Sequence, residues 1–359
     1  MSPHERWCHN RRCRAYGRKG EGHVVIHSQK ERRYQCKRCK KTFSETKGTA
    51  LYRTHKPRWL VIVVVTLLAY GCPLQAIVAA FEVDERTVAR WQRESGLQCK
   101  RVHKHLVGAG KVALLQVQAD EIRVKAVGAI YWLASAMEVK SRLWLGGVVS
   151  RHRDTGLIRT LLKRVRACGP IEKVLLVTDG LSSYKSQALA VFRDPVRTGK
   201  VGRPKLALVE GVMIAQLKKR CQRKRVVEVV RKVVVGAQAE VTCRVIASQR
   251  SMKAQLNTAY IERLQATFRS RLAPLARRTR AGAHKHCTLS AGMWLVGATY
   301  NLVWRHRSLG EGYTPAMAAR LTDHRWSIEE LLMFPTPPAE LPKWRGRKPK
   351  WLLKIENAA

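Results

Sequence analysis

Acidic residues are scarce in this chain. Asp and Glu together number 25 against 69 Lys and Arg, a formal charge of +44 over 359 residues. That imbalance disfavours basic partners and sets up a field that attracts polyanions and speeds encounter with them. The basic residues run through every segment and are not gathered in a tail, which suits extended contact with a phosphate backbone. A ribosomal or general RNA-binding protein is the plainer reading of the same field. Long apolar runs are missing too. The longest, Trp59 to Tyr70, falls short of the roughly 20 residues a bilayer span needs, so it reads as a core helix. No long basic amphipathic helix stands out, which weighs against a membrane-surface protein. The first twenty residues are charged and rich in Cys, Arg and Lys, unlike a secretory leader. The expected location is cytoplasmic.

A disulfide framework is also lacking. Of ten cysteines most are scattered; Cys72, Cys99, Cys168, Cys221, Cys243 and Cys287 read as buried or incidental thiols. The exception is Cys8 and Cys13, a C-x4-C pair, followed by Cys36 and Cys39, a C-x2-C pair. Zinc takes four soft ligands in a tetrahedron, and two close pairs on two turns supply them. So short a segment buries little apolar surface, so the metal would supply much of its stability. Tyr34 and Phe43 are its expected small core. Four unrelated reduced thiols is the competing reading. No repeat is visible, and 45% hydrophobic residues is an ordinary globular content.

Leu60–Tyr70 reads as a helix ended by Gly71, and Leu74–Phe81 as a second. After a short turn at Glu82-Val83, a third is capped by Asp84 and runs over Glu85–Glu94. Two helices joined by a short turn match a helix-turn-helix, whose second helix lies in the DNA major groove. That helix offers Arg86, Thr87, Arg90 and Arg93, with Gln92, to solvent, while Val88 and Trp91 face the core. A generic three-helix bundle is the alternative.

From residue 113 the pattern turns to strands: Leu114 into Ala119-Asp120-Glu121, then Ala129–Met137 and Leu143–Val149. Asp154 and Thr155 cap a helix to about Cys168. Lys173–Thr178 is a buried strand closed by Asp179-Gly180, and a helix follows near Tyr184–Phe192. This order predicts a mixed α/β domain. Residues 208–248 are ambiguous, with strand-like Arg225–Val235. Residues 258–280 and 288–305 read as helical. Ser327 and Glu330 have capping-box spacing, and Trp326 is expected to pack the last helix.

With so few acids, each can be asked what it does. Asp120 is expected to end the first strand of the α/β domain and Asp179 the fourth, where chemistry gathers in open α/β sheets. Glu262 falls in the first turns of a predicted helix. Three carboxylates can hold Mg(II), a hard ion that prefers oxygen, and a pair of such ions can stabilise both attacking and leaving oxygens of a phosphodiester. Against this, Asp179-Gly180 is a common turn, Glu262 with Arg263 could be a solvated helix pair, and spacing does not say which of Asp120 and Glu121 points inward.

The chain resembles the zinc-ribbon class of bacterial insertion-sequence DDE transposases, those similar to the first-numbered insertion-sequence family. The resemblance runs over nearly the whole chain. It includes Tyr34-Gln-Cys-Lys-Arg-Cys-Lys-Lys-Thr-Phe43, Ala119-Asp-Glu121, His152-Arg-Asp154, Thr178-Asp-Gly180 with Tyr184, Asn257-Thr258 and Ile261-Glu-Arg263. It ends with Tyr300-Asn301, His306 and Thr314-Pro-Ala-Met317. The resemblance implies an RNase H-like fold with Asp120, Asp179 and Glu262 as a DDE triad holding magnesium or manganese. It further implies cleavage by water and strand transfer by a 3′-hydroxyl, on double-stranded DNA at element ends and target. Asn301 and His306 would lie on a helix near the site. A homodimer or higher assembly on DNA and a nucleoid-associated location follow from that reaction. Where such families often carry Asn three residues after the Glu, this chain has Gln265, which keeps the amide. The separation of Asp179 from Glu262 exceeds that of compact members, and the loop at Arg193–Pro204 contributes to it. A decayed, non-catalytic DNA-binding regulator with the same front end is the alternative. The expected domains are a zinc ribbon over 1–50, the helix-turn-helix over 51–105, the catalytic domain over 106–310, and a C-terminal helix and basic tail over 311–359. Arg345-Gly-Arg-Lys-Pro-Lys350 in that tail looks like a minor-groove hook, with a fainter echo at Gly202-Arg-Pro-Lys205; a solvated tail is the plainer reading.

Overall fold

A computed structural model describes residues 2–196, 199, 202–223, 225–276, 282 and 285–341. The basic stretch Arg345–Lys350 lies outside them. The chain divides into two compact units, residues 1–61 with 332–359, and residues 62–331. Among the described residues no helix is long and apolar enough to cross a membrane.

In the first unit, β1 (Val24–Ser28), β2 (Arg33–Cys36) and β3 (Thr42–Ser44) form an antiparallel meander. Its core is Val24, Tyr34 and Phe43. Tyr34 is fully buried, and its ring stacks on Phe43 with centroids 5.8 Å apart, as expected from the sequence. Residues 332–341 belong to this unit: the Ala50 N–H donates to the Leu332 carbonyl at 3.1 Å, and the Tyr16 hydroxyl to the Ala339 carbonyl at 2.8 Å.

Helix α1 (Arg58–Ala69) carries the apolar run and leads into the second unit, where α2 (Leu74–Phe81) and α3 (Glu85–Leu106) follow. The turn between α2 and α3 is the expected one. Glu82 adopts a left-handed conformation, Val83 is buried, and the Asp84 carboxylate accepts the Thr87 N–H at 3.1 Å. Helix α3 runs past the expected end at Glu94, because Gly96 does not stop it. Gly96 is instead where a second helix, α8 (His286–Leu302), crosses: a Cβ there would stand 2.3 Å from the Ala291 carbonyl oxygen. The long α3 therefore packs into the α/β unit, and the contacts show no division near residue 105. Gly96→Leu should force α3 and α8 apart and cost about 3 kcal/mol of stability, measurable by urea unfolding; an unchanged midpoint would refute this packing.

The sheet is built from β4 (Gln116–Ala126), β5 (Ala129–Glu138), β6 (Trp144–Ser150), β7 (Leu175–Asp179), β10 (Met213–Gln222) and β11 (Arg225–Val235). Its order is β11-β10-β7-β4-β5-β6. The central β4, β7 and β10 are parallel, and the outer pairs are antiparallel. A small hairpin, β8 (Arg193–Val196) with β9 (Lys205–Leu208), occupies the expected loop region. Helices α4 (Thr155–Cys168) and α5 (Ser182–Val191) pack on each other, with α4 on β5 and β6. The ambiguous stretch resolves into the β10–β11 hairpin and α6 (Gln238–Gln249); α7 (Ala259–Arg271) packs on β4 and β5. Helix α7 stops short of the expected 280 because Pro274 follows, in a single 3-10 turn at Ala273–Leu275. Short helices α9 (Pro315–Ala318) and α10 (Ile328–Met333) close the described chain. The Ser327 hydroxyl accepts the Glu330 N–H at 3.0 Å, and Trp326 is buried.

Candidate functional site

Local capping fixes the walls of the site. The Asp154 carboxylate accepts the Leu157 N–H at 2.8 Å and starts α4, which leaves Arg153 in the loop just before it. On the other side of the sheet, the Gln118 side chain of β4 donates to the Asn257 carbonyl at 2.7 Å and accepts the Ile261 N–H at 3.0 Å. This stitches the start of α7 to the strand two residues before Asp120.

Asp179 ends β7, as expected. Asp120 does not end its strand: β4 continues six residues further, to Ala126, paired with β5. What ends there is the pairing of β4 with β7, whose last pair is Ala119 with Thr178. Where the two parallel strands part, three carboxylates gather. One oxygen each from Asp120, Glu121 and Asp179 lies within 4.8 Å of the other two. Neighbouring strand residues point to opposite faces, and the parting of β4 from β7 is what lets Asp120 and Glu121 both approach Asp179.

Each carboxylate is held differently. Burial raises the Asp120 carboxyl to about 6; the charges of Glu121 and Asp179 push the same way, against the Glu121 N–H that it accepts at 2.8 Å and the Gln265 amide. Burial also raises Glu121, with Asp179 adding to it. Glu121 is compensated by Arg153, whose Nε and Nη2 stand 2.6 and 2.5 Å from its Oε1, and by the Tyr184 hydroxyl, which donates to Oε2 at 2.8 Å. Burial and the adjacent Glu121 charge keep Tyr184 a phenol, its pKa far above the usual value. Arg153 also reaches Asp179 Oδ2 at 3.5 Å and lies over the Trp132 ring at 4.9 Å.

Glu262 stands apart from this cluster. Burial alone would raise its carboxyl, but the Lys219 ammonium of β10 and the Thr258 hydroxyl, donating at 2.7 Å, outweigh it and hold it below the usual range. The structure thus brings together Asp120 and Asp179 and adds Glu121, while Glu262 is paired with Lys219 nearer the solvent. Gln265 faces Asp120 from α7 and helps to lower its carboxyl, while its amide nitrogen is buried with no hydrogen-bond partner. Sequence reading missed the Glu121–Arg153–Tyr184 network, since only the folded chain joins residues so far apart.

A divalent cation fits such an oxygen set. The carboxylates already repel one another, and Arg153 occupies the place where positive charge is wanted.

In the other unit, Cys8, Cys13, Cys36 and Cys39 offer sulfurs all within 4.8 Å of one another. Cys8 to Cys39 is 3.8 Å and Cys13 to Cys36 is 3.9 Å. Zinc–sulfur bonds of about 2.3 Å set tetrahedral edges near 3.8 Å, while a disulfide needs about 2.05 Å. The four form no disulfide. Burial raises Cys8 and Cys13. The geometry fits a four-thiolate metal site.

On α3, Arg86, Arg90 and Arg93 are exposed and Thr87 half-buried, while Val88 and Trp91 are buried. Arg93 leans on Glu94 at 3.4 Å. Asn301 lies on α8, where it accepts the Trp144 N–H at 2.9 Å and donates to the Trp144 carbonyl at 2.8 Å, clamping α8 to the start of β6.

No family model and no curated protein matches the chain.

Proposed function

We propose that this protein is a DDE-type DNA transposase of an insertion sequence, with a zinc ribbon, a helix-turn-helix and an RNase H-like catalytic domain. The observation that carries the reading is the meeting of Asp120 and Asp179 where two parallel central strands part, in a chain of net charge +44. Acids gathered in so basic a molecule need a cation, and phosphate needs the rest. Asp120 and Asp179 would hold magnesium or manganese, with Glu262 completing the set once Lys219 lets it go. The bound metal would stabilise charge on the attacking and leaving oxygens of a phosphodiester. The chain's own residues do the remainder. The Gln265 amide steadies Asp120, Tyr184 and Arg153 hold Glu121, and Arg153 keeps Asp179 compensated until the metal arrives.

The test uses full-length protein and a plasmid carrying the sequences that border its gene. Nicking at those borders in magnesium or manganese, and none in EDTA, is the expected result. Specific binding without metal-dependent nicking would overturn the reading in favour of a DNA-binding regulator. That second reading has its own support in the Lys219–Glu262 pair, which leaves the third acid outside the cluster.

Recognition of duplex ends falls to α3. Arg90→Gln should weaken binding to the preferred duplex about tenfold, within the roughly 1–3 kcal/mol of a specific base contact, and leave non-specific binding nearly unchanged. Equal loss on every sequence, read by fluorescence anisotropy at fixed salt, would reduce Arg90 to a phosphate contact.

A further inference from the structure

A groove of about 890 Å³ lies along α7. Five guanidinium groups line it: Arg142, Arg263, Arg271, Arg305 and Arg325, with no acid among the lining residues. None of the five is in an ion pair with Asp or Glu among the described residues. Such uncompensated charge in a concave site asks for an anion with several negative groups. The aromatic side chains of the groove say which kind. The Arg142 guanidinium lies 3.9 Å over the Tyr260 ring, and that of Arg271 lies 5.2 Å from Tyr70 and 5.1 Å from Trp304. Trp304 Nε1 and Arg271 Nε are buried there with no hydrogen-bond partner. Flat π surfaces beside guanidinium forks suit bases stacked between phosphates.

We infer that this groove binds an unpaired DNA strand, seating at least one nucleotide with its base on the Tyr260–Trp304 surfaces and its flanking phosphates on Arg263 and Arg305. A paired base cannot reach those faces, because its neighbours in the stack already cover them. The volume is within the roughly 300–1,000 Å³ of ordinary ligand sites. The groove also adjoins the acids along the chain. Met137, in its lining, pairs in register with Gln118, two residues before Asp120, and Arg263 follows Glu262. A strand held here would lead along α7 towards the carboxylates. The inference deepens the transposase reading by giving the substrate strand a melted segment, but the binding stands without it.

The test is fluorescence anisotropy of a labelled twelve-nucleotide oligo-dT and of a duplex of equal length, with the intact protein. Arg263 and Arg305 are exposed, so the double variant Arg263→Gln/Arg305→Gln should fold, which circular dichroism checks. Expected are at least tenfold weaker binding of the single strand, a salt slope lower by about 1.4 for two lost phosphate contacts, and little change on the duplex. Trp304→Phe should keep the affinity and lose quenching of a 2-aminopurine placed in the strand. Equal loss on strand and duplex, or equal competition by inorganic polyphosphate, would overturn the inference, as would an RNA strand that binds more tightly than the DNA. Asp120→Asn protein should bind oligo-dT as the wild type does. Wild-type protein that binds oligo-dT in this way but does not nick the bordered plasmid in magnesium or manganese would therefore remove the transposase reading and leave the groove.

Discussion

Replacing Cys36 by serine is expected to unfold residues 2–61 while the six-stranded unit keeps its fold. Cys36 is fully buried at the end of β2, its sulfur 3.9 Å from that of Cys13. One small apolar cluster beside it, Val24, Tyr34 and Phe43, is worth about 1.5–3 kcal/mol per side chain when buried. Four-thiolate zinc supplies about 10–16 kcal/mol in small metal-folded domains, more than these three side chains together. Binding must displace protons that burial holds on Cys8 and Cys13, so zinc affinity should fall as pH drops. Zinc content by mass spectrometry and proteolysis of the first sixty residues give the readout. One zinc per chain and wild-type protection in Cys36→Ser would show that the sulfurs meet for another reason.

The cysteine cluster was legible in the sequence because metal ligands are close in the chain as well as in space. So were the caps: Asp84 and Asp154 bond N–H groups three residues on, and such bonds leave a local mark. The end of α3, expected at Glu94, was not legible for the opposite reason, since at Gly96 the helix runs on. The role of Gly96 is set by Ala291, almost two hundred residues away, and a glycine that admits a crossing helix leaves no local mark of it in the sequence. Asp120 shows the same limit. Its strand does not stop, but its partner β7 does, and partner length is not written in the strand. The β10–β11 hairpin could not be assigned because its solvent face is as Val-rich as a core: Val226, Val227 and Val230 are exposed. Glu262 is placed by family resemblance alone, and the fold gives it Lys219 as a partner before any metal.

That difference makes Asp120 the most telling residue to change. Asp120→Asn should abolish metal-dependent nicking and at the same time stabilise the metal-free protein. Burial raises this carboxyl to about 6, with Glu121 and Asp179 adding to the shift. The folded state thus holds the Asp120 proton more tightly than the unfolded chain does, whose Asp pKa is about 3.9. Its contribution to stability is present in full below about pH 4 and is lost as pH rises through 6. At pH 8 the ionised Asp120 then costs roughly 3 kcal/mol, two pH units at about 1.36 each. Asparagine removes that cost, so the variant should melt higher than wild type at pH 8, and the gain should vanish near pH 4. Manganese should reverse the order, raising the wild-type melting temperature through binding to the folded state and leaving Asp120→Asn unmoved. Glu262→Gln identifies the third metal ligand. If Glu262 joins the metal set, the variant loses nicking although it lies outside the acid cluster of the metal-free fold; if nicking survives it and is lost in Glu121→Gln, the third ligand is Glu121. An Asp120→Asn protein that nicks like wild type would mean that Asp120 is not a metal ligand, and one that melts lower at pH 8 that it is not a strained acid.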